Sequence, residues 1–287
     1  MDGITQAEAL SVAPLAGGER ARFFMAERFD GLECLAATFR THRYAPHTHD
    51  TYVIGAIVAG CETWTVRGDR HYACPGDLVF VHPHEVHDGE PFGAGYAYRM
   101  TYPSAALLQG LAADIAGRLV HGSPFFAEPV VHDPQGAALV VAAHQALEAG
   151  QDTLAADELL SRAYGHCLMH HARLAATPIG REPMAVARVK DLLAARYGED
   201  LPLSMLAAEA RLSPHHLIRA FRRETGLTPH AWLMSVRVER AKILLRRGEA
   251  PVDVATATGF CDQPHLTRVF KARVGVTPGV YRAAAAA

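Results

Sequence analysis

The chain has 287 residues, more than one domain usually spans, so two domains are expected. With 49% hydrophobic and 20% charged residues it can bury sizeable cores, which excludes wholesale disorder. No window approaches 18 consecutive apolar residues, and residues 1–24 lack the apolar run of a secretory signal, so a soluble cytoplasmic protein without a membrane partner is expected.

The net charge of -2 hides an asymmetry about the stretch Ala176 to Gly180 and its polar sequel through Pro183. From Met184 onward 16 Lys+Arg face 9 Asp+Glu, whereas before it 12 face 21. A basic second domain suits a polyanion, because binding releases condensed counterions. Cys34, Cys61, Cys74, Cys167 and Cys261 are scattered and form no CxxC pair, so they are expected as reduced thiols. A Cys61–Cys74 bridge stays open if their strands pair.

In chain order, residues 1–22 are an expected arm over a pocket. From Glu33 to Tyr102 come short β-favouring runs: Tyr52 to Val58, Glu62 to Arg67, Arg70 to Ala73, Leu78 to Val81 and Tyr96 to Thr101. Gly68-Asp69 and Pro75-Gly76-Asp77 are turn signals between them, and strands so spaced predict a β-barrel or double-sheet jelly roll.

The chemically loaded residues here are His47 and His49, then His82, His84 and His87. Positions i and i+2 of a strand face one way, so His47 and His49 point together, and His87 would complete a three-imidazole set suited to zinc, iron, nickel or copper. Three readings stay open: imidazoles that hydrogen-bond an effector, a metal site at the same place, or core and surface histidines with local partners. Tyr52, Trp64 and Tyr98 are candidate pocket walls, and aromatics on strands also serve simply as core. No cofactor is required by this pattern, and a divalent metal in the barrel is the one candidate.

The segment resembles the cupin fold, whose second motif is matched by Pro75, Gly76, Asp77, Pro83 and His87. The first motif is incomplete, because Val53 and Ile54 stand where its carboxylate is expected and Asp50 has the wrong parity. That gap weighs against the alternative of a metal-dependent cupin enzyme.

Helices follow over Ser104 to Leu119 and Pro134 to Leu174, with Asp133-Pro134 and Asp152 as start signals. Leu160, Tyr164, Cys167, His171 and Leu174 form a stripe that must cover the barrel or another subunit, with Leu159 alongside. His166 and His170 stand at i and i+4, a metal-clamp spacing that lacks a third ligand here.

The last 75 residues contain a repeat: Ser213 to Trp232 aligns without gaps on Asp262 to Tyr281, each residue 49 positions from its counterpart. Each copy predicts a helix capped by Ser213 or Asp262, closed by Gly226 or Gly275, and buried through Leu217 with Phe221 or Leu266 with Phe270. A shorter helix precedes each, Ser204 to Arg211 and Val252 to Thr258, which is the helix-turn-helix pattern. The outward residues of the two second helices are His215, His216, Arg219, Arg222 and Arg223, and Gln263, His265, Thr267, Arg268 and Lys271. They are the candidates for reading bases and gripping phosphates, although a single exposed Arg is more often only a solvated charge. Between the copies, Pro229 to Arg247 predicts a rigid spacer helix that would set the reading helices about 34 Å apart.

Arg237, Ala241, Gly259, Phe260, Arg268, Phe270, Lys271, Gly275, Thr277, Pro278, Tyr281 and Arg282 stand in the order of a known signature, with Val254-Ala255 for its Ile-Ala and Leu266 at its aromatic position. By these residues the last 100 or so positions resemble the AraC/XylS family of bacterial transcription regulators. The resemblance implies an α+β protein of two domains. An amino-terminal cupin-like effector-binding and dimerisation domain (1–175), its pocket at His47, His49, Tyr52, Trp64, His87 and Tyr98, leads through a linker (176–183) to a seven-helix domain with two helix-turn-helix motifs (184–287). It also implies promoter double-stranded DNA, a small-molecule effector, RNA polymerase and a second copy of the chain as partners. The alternatives are a metal-sensing regulator and a metal-dependent cupin enzyme fused to a DNA-binding domain.

Overall fold

The computed structural model describes residues 17–120, 122–174, 182–274 and 276–285. Their contacts divide into two compact units, the first comprising the described residues of Met1–Ala149 and Leu159–Thr177, the second those of Gly150–Glu158 and Pro178–Ala287.

The first unit is built on eight antiparallel strands: β1 (Arg20–Ala26), β2 (Leu32–Phe39), β3 (Tyr44–His47), β4 (Val53–Val66), β5 (Asp69–Ala73), β6 (Asp77–Val81), β7 (His87–Tyr102) and β8 (Val130–His132). They run in the order β1-β2-β7-β4-β6-β8, with β3 beside β7 and β5 beside β4. The long strands β4 and β7 pair from Ile54↔Thr101 to Val66↔His87, with register shifts between Ile57 and Ala59 and between Gly60 and Cys61. Each shift bends the strands. The sheet therefore rolls around an interior that buries Trp64, Val66, Tyr98 and Met100. The two runs expected as separate strands, Tyr52 to Val58 and Glu62 to Arg67, are halves of the single bent strand β4. Among the described residues the expected barrel is one rolled sheet whose path runs from β1 to β8.

The expected arm over residues 1–22 lies mostly outside the described residues, and from Arg20 the chain is already edge strand β1. Cys61 and Cys74, expected as reduced thiols, are joined by a disulfide. The pairing of β4 with β5 explains it: Glu62 opposes Ala73, which brings the two Cα atoms to 4.4 Å. Cys34 and Cys167 are buried free thiols, and Cys261 is an exposed one.

Helix α1 (Ala105–Ala116) is capped by the Ser104 hydroxyl, which accepts the Leu107 N–H at 3.0 Å. The start signals of α2 (Pro134–Ala149) and α3 (Thr153–His171) act as expected, with Asp133 Oδ1 accepting from Gly136 N and Asp152 Oδ1 from Ala155 N, each at 2.9 Å. The boundary between the units falls inside α3, after Glu158. Within the first unit the α3 stripe covers the sheet: Leu160, Tyr164 and Cys167 are buried, and the Tyr164 hydroxyl donates to Thr101 Oγ1 of β7 at 2.9 Å.

The second unit contains seven helices among the described residues, α4 (Pro183–Ala195), α5 (Leu203–Ala210), α6 (Pro214–Thr225), α7 (Pro229–Arg246), α8 (Pro251–Ala257), α9 (Gln263–Val274) and α10 (Pro278–Ala285), besides the first turns of α3. Most of the expected linker, and the helix-closing Gly275, lie outside the described residues; Pro183 already opens α4. The repeat forms α6 and α9, 12 residues each and displaced by 49 positions, with Leu217, Phe221, Leu266 and Phe270 wholly buried. The signature residue Arg237 is buried in α7, where its guanidinium donates to the carbonyls of Tyr197 (2.7 Å) and Glu199 (2.9 Å) and so ties down the loop before α5. Gly259, at φ +79 in the turn after α8, lies under the same loop. A Cβ there would meet Gly198 at 2.9 Å and Arg237 Nη2 at 3.0 Å, so only glycine fits.

Candidate functional site

Strand pairing assembles the histidine cluster in the first unit. His47 ends β3 and lies directly opposite His87, the first residue of β7, while His49 follows two positions on. The His47 and His87 ring centroids are 4.4 Å apart, those of His49 and His87 5.1 Å, and His47 Nε2 lies 3.1 Å from His49 Nε2. His47, His49 and His87 converge as expected, although His49 lies beyond the end of β3, so strand parity is not what aims its ring.

The protonation of the cluster follows from its outer contacts. Nδ1 of His47 is 2.8 Å from the Ala45 carbonyl and Nδ1 of His87 2.9 Å from the Glu85 carbonyl. A carbonyl only accepts, so each Nδ1 carries the proton, and the neutral rings present Nε2 lone pairs. Burial holds both imidazoles below their ordinary pKa, His87 down to about 3, where the neighbouring His47 adds to the effect. Both are neutral at physiological pH.

Around these nitrogens is a cavity of about 40 Å³, walled by Trp64, Tyr98, Tyr44, Glu62 and Tyr102. A water needs only about 10–15 Å³ by this measure, so the space fits an ion and one or two waters. A second, larger cleft of about 350 Å³, lined by Arg67, Glu85 and Val86 among others, shares His87 and Asp88 with the inner cavity. That volume is within the range of small-molecule sites.

Of the expected pocket residues, Trp64 and Tyr98 line the cavity. Tyr52 does not: its hydroxyl donates to the Pro124 carbonyl at 2.7 Å and its ring packs on His82 and Phe126, because it precedes β4 instead of alternating within it. His82 stacks on Phe125 and accepts the Phe126 N–H, and His84 is exposed, so neither joins the cluster. Glu62, Tyr44 and Tyr102 were missed. The parity of β4 could have found Glu62, which shares a face with Trp64 and Val66. Burial pushes the Glu62 carboxyl up to about 8, and the Tyr44 and Tyr98 hydroxyls meet at 2.9 Å beside it.

In the second unit α5 with α6, and α8 with α9, form two helix-turn-helix pairs. Helix α9 has no acidic residue and α6 only Glu224, near its end. On α6, Arg222 and Arg223 are exposed and His216 and Arg219 half-buried. His215, expected to face outward, is instead 5% exposed, because its position falls on the apolar stripe with Ile218. On α9, Gln263, Arg268 and Lys271 are exposed and Thr267 half-buried. His265 is half-buried: its Nδ1 lies 3.1 Å from Cys261 Sγ and its ring stands edge-on to Phe260, so it braces the turn. Arg222, Arg223, Lys271 and Arg273 lie in last turns, where cations also stabilise a helix.

Residues 30–163 match the family model of the AraC-like ligand binding domain, and residues 206–284 that of a helix-turn-helix domain. The uncharacterized HTH-type transcriptional regulator YbfI of Bacillus subtilis (strain 168) is 29% identical over 78% of this chain and 82% of its own length. The arabinose operon regulatory protein of Salmonella typhimurium is 26% identical over 81% and 83%. The HTH-type transcriptional activator RhaR of Escherichia coli O139:H28 is 27% identical over 83% and 87%.

Proposed function

The chain belongs to the AraC type of transcription regulators, and from that premise we propose that a small effector held at His47, His49 and His87 sets its affinity for promoter DNA. The observation that carries this reading is the convergence of the three imidazoles in the 40 Å³ cavity, with His87 shared by the 350 Å³ cleft, in a chain that also bears two helix-turn-helix pairs. His47 Nε2 accepts from His49 Nε2–H, so the His87 Nε2 lone pair calls for a donor on the effector, and the Trp64 and Tyr98 faces beyond it for at most a small group, so a molecule seated in the cleft that reaches inward with one hydroxyl or amine fits. An effector that prefers one of two arrangements of the protein shifts their populations, and DNA affinity changes with them.

DNA is gripped by α6 and α9 in successive major-groove turns about 34 Å apart. Arg219, Gln263, Thr267 and Arg268 serve as base readers, and Arg222, Arg223 and Lys271 as phosphate contacts. The working form is a homodimer that acts with RNA polymerase in the cytoplasm. Since the buried stripe of α3 is spent on the sheet, its dimer contact uses another face of the helical layer.

A second reading makes a divalent metal the effector. Three imidazole nitrogens within 4.8 Å of one another are a zinc- or copper-type donor set, and the 40 Å³ cavity suits an ion better than a metabolite. His47, His49 and His87 would hold it, and the ion would supply charge and a fixed geometry. An enzyme is the weaker reading, because Val53 faces the cavity where a cupin metal would take its carboxylate ligand.

A thermal-shift screen of metabolites and of divalent metals on the full chain tests the proposal. A hit should raise the melting temperature, lose that effect in His47→Ala and His87→Ala, and change promoter affinity. Hits untouched by both substitutions would place the effector elsewhere, and turnover of a hit would restore the enzyme reading.

A further inference from the structure

A second convergence of metal-ligating side chains lies outside the cleft. Asp133 precedes α2, with its N–H bonded to the Gly76 carbonyl at 3.0 Å and its Oδ1 accepting the Gly136 N–H at 2.9 Å. Those bonds fix the carboxylate and leave Oδ2, on which His166 Nε2 (2.6 Å) and His171 Nε2 (2.8 Å) converge. The ligand atoms of the three residues all lie within 4.8 Å of one another.

The pairing of His166 with His171, five residues on, is not what a regular helix gives, since five residues turn about 140° around the axis. The last turn of α3 is opened. Ala172 N–H bonds to the Cys167 carbonyl and Leu174 N–H to that of Leu168, spans of five and six residues instead of four. His171 thereby reaches the carboxylate that His166 holds, while His170, the partner expected from i,i+4 spacing, keeps its ring 4.3 Å from that of His166 but is exposed and outside the three-residue set. Space has been cleared as well. A Cβ at Gly136 would come within 2.7 Å of Asp133 Oδ2 and 3.0 Å of His166 Cδ2, so any larger residue would push the ligands apart.

Two imidazoles and one carboxylate form an N2O set that divalent zinc, iron, cobalt and nickel accept, with positions left for water. The side chains are 12–16% exposed, so solvent reaches them. The carbonyl end of α3 favours a cation, and the Gly136 N–H supplies the outer hydrogen bond that orients a ligating carboxylate. We propose that Asp133, His166 and His171 form a binding site for a divalent transition-metal ion, separate from the cleft, which pins the end of α3 to the start of α2.

The test uses the full chain, stripped of metal with a chelator and titrated with Zn²⁺ by calorimetry. It is done in a background with His47, His49 and His87 changed to Gln and Cys261 to Ser, so that the cleft and the exposed thiol do not contribute. One equivalent of Zn²⁺ should bind and raise the melting temperature. Asp133→Asn and His171→Gln should each weaken binding at least tenfold, while His132→Gln, a neighbour bonded to Asp77, should leave it unchanged. If the background does not fold by circular dichroism, Asp133→Asn and His171→Gln in the otherwise native chain should each lower the zinc stoichiometry by one. No zinc bound in a folded background, or binding and stoichiometry indifferent to both substitutions, would reduce the cluster to a hydrogen-bonded brace and overturn the proposal.

Discussion

Asp152 and His230, 78 positions apart in the chain, meet in the second unit with Oδ2 and Nε2 2.9 Å apart. They belong to a larger arrangement. Glu158 Oε1 accepts the His230 N–H at 2.6 Å, and Asp157 Oδ2 accepts the Leu203 N–H at 3.0 Å. Those N–H groups lie in the first turns of α7 and α5, where a helix leaves donors without intrahelical partners, and α5 has no side-chain cap of its own at Pro202. Carboxylates from the first turns of α3 thus cap helices of the DNA-binding unit and face their positive ends.

This arrangement predicts an acid-sensitive contribution to stability. Burial alone would raise the Asp152 carboxyl, but the His230 imidazole outweighs it and holds the group at about 2, below the ordinary 3.8. A carboxyl depressed on folding stabilises above its unfolded pKa, and that stability drains away as pH falls from about 3.8 toward 2. Asp152→Asn should cost about 2 kcal/mol at neutral pH and flatten the acid limb of the melting curve. An unchanged acid limb would mean that the pair contributes nothing.

Glu62 should act with the opposite sign. Its carboxyl is raised on folding to about 8, so the folded state holds a proton that the unfolded chain gives up near 4.5. Stability of the sensor unit therefore falls as pH climbs from about 4.5 to 8. Glu62→Gln should remove the decline and be the more stable protein at pH 8, by up to about 4 kcal/mol. Parallel pH profiles of the two proteins would contradict this.

Arg237 makes a structural prediction. Arg237→Met keeps much of the apolar stem but leaves the Tyr197 and Glu199 carbonyls without their donor. About 2–4 kcal/mol should be lost, since buried acceptors are stranded. Chemical denaturation of the variant measures it, and DNA affinity at a temperature where it remains folded should be unchanged.

For the DNA surface, Arg268→Ala should cost about 1–3 kcal/mol and relax preference at one base pair, whereas Arg222→Ala should weaken all sequences alike and make the salt slope shallower by about one. Binding titrations at several salt concentrations separate the two. Exchanged outcomes would exchange the roles.

The helical unit was largely legible because duplication writes its pattern twice: Leu217 and Phe221, Leu266 and Phe270 mark the same stripe at a fixed offset of 49. The meeting of His47 with His49 was legible from their i,i+2 spacing, although His49 lies beyond the end of β3. What escaped depended on long-range pairing or irregular backbone. The Cys61–Cys74 bond follows from which strands are neighbours, the opened last turn of α3 exchanged His170 for His171, and Tyr52 falls just outside the alternating strand. Asp152 was legible as a helix start, but not as a partner of His230, since nothing local links them.

Joint reading of DNA by α6 and α9 is checked by selection from a random duplex pool with the 287-residue chain. Two short recognition blocks should emerge on one face of the duplex, about 10 base pairs apart, with preference at one base pair of one block relaxed when Arg268 is replaced by Ala. A pool that emerges without enrichment over random competitor, or with a single block indifferent to Arg268, would contradict it.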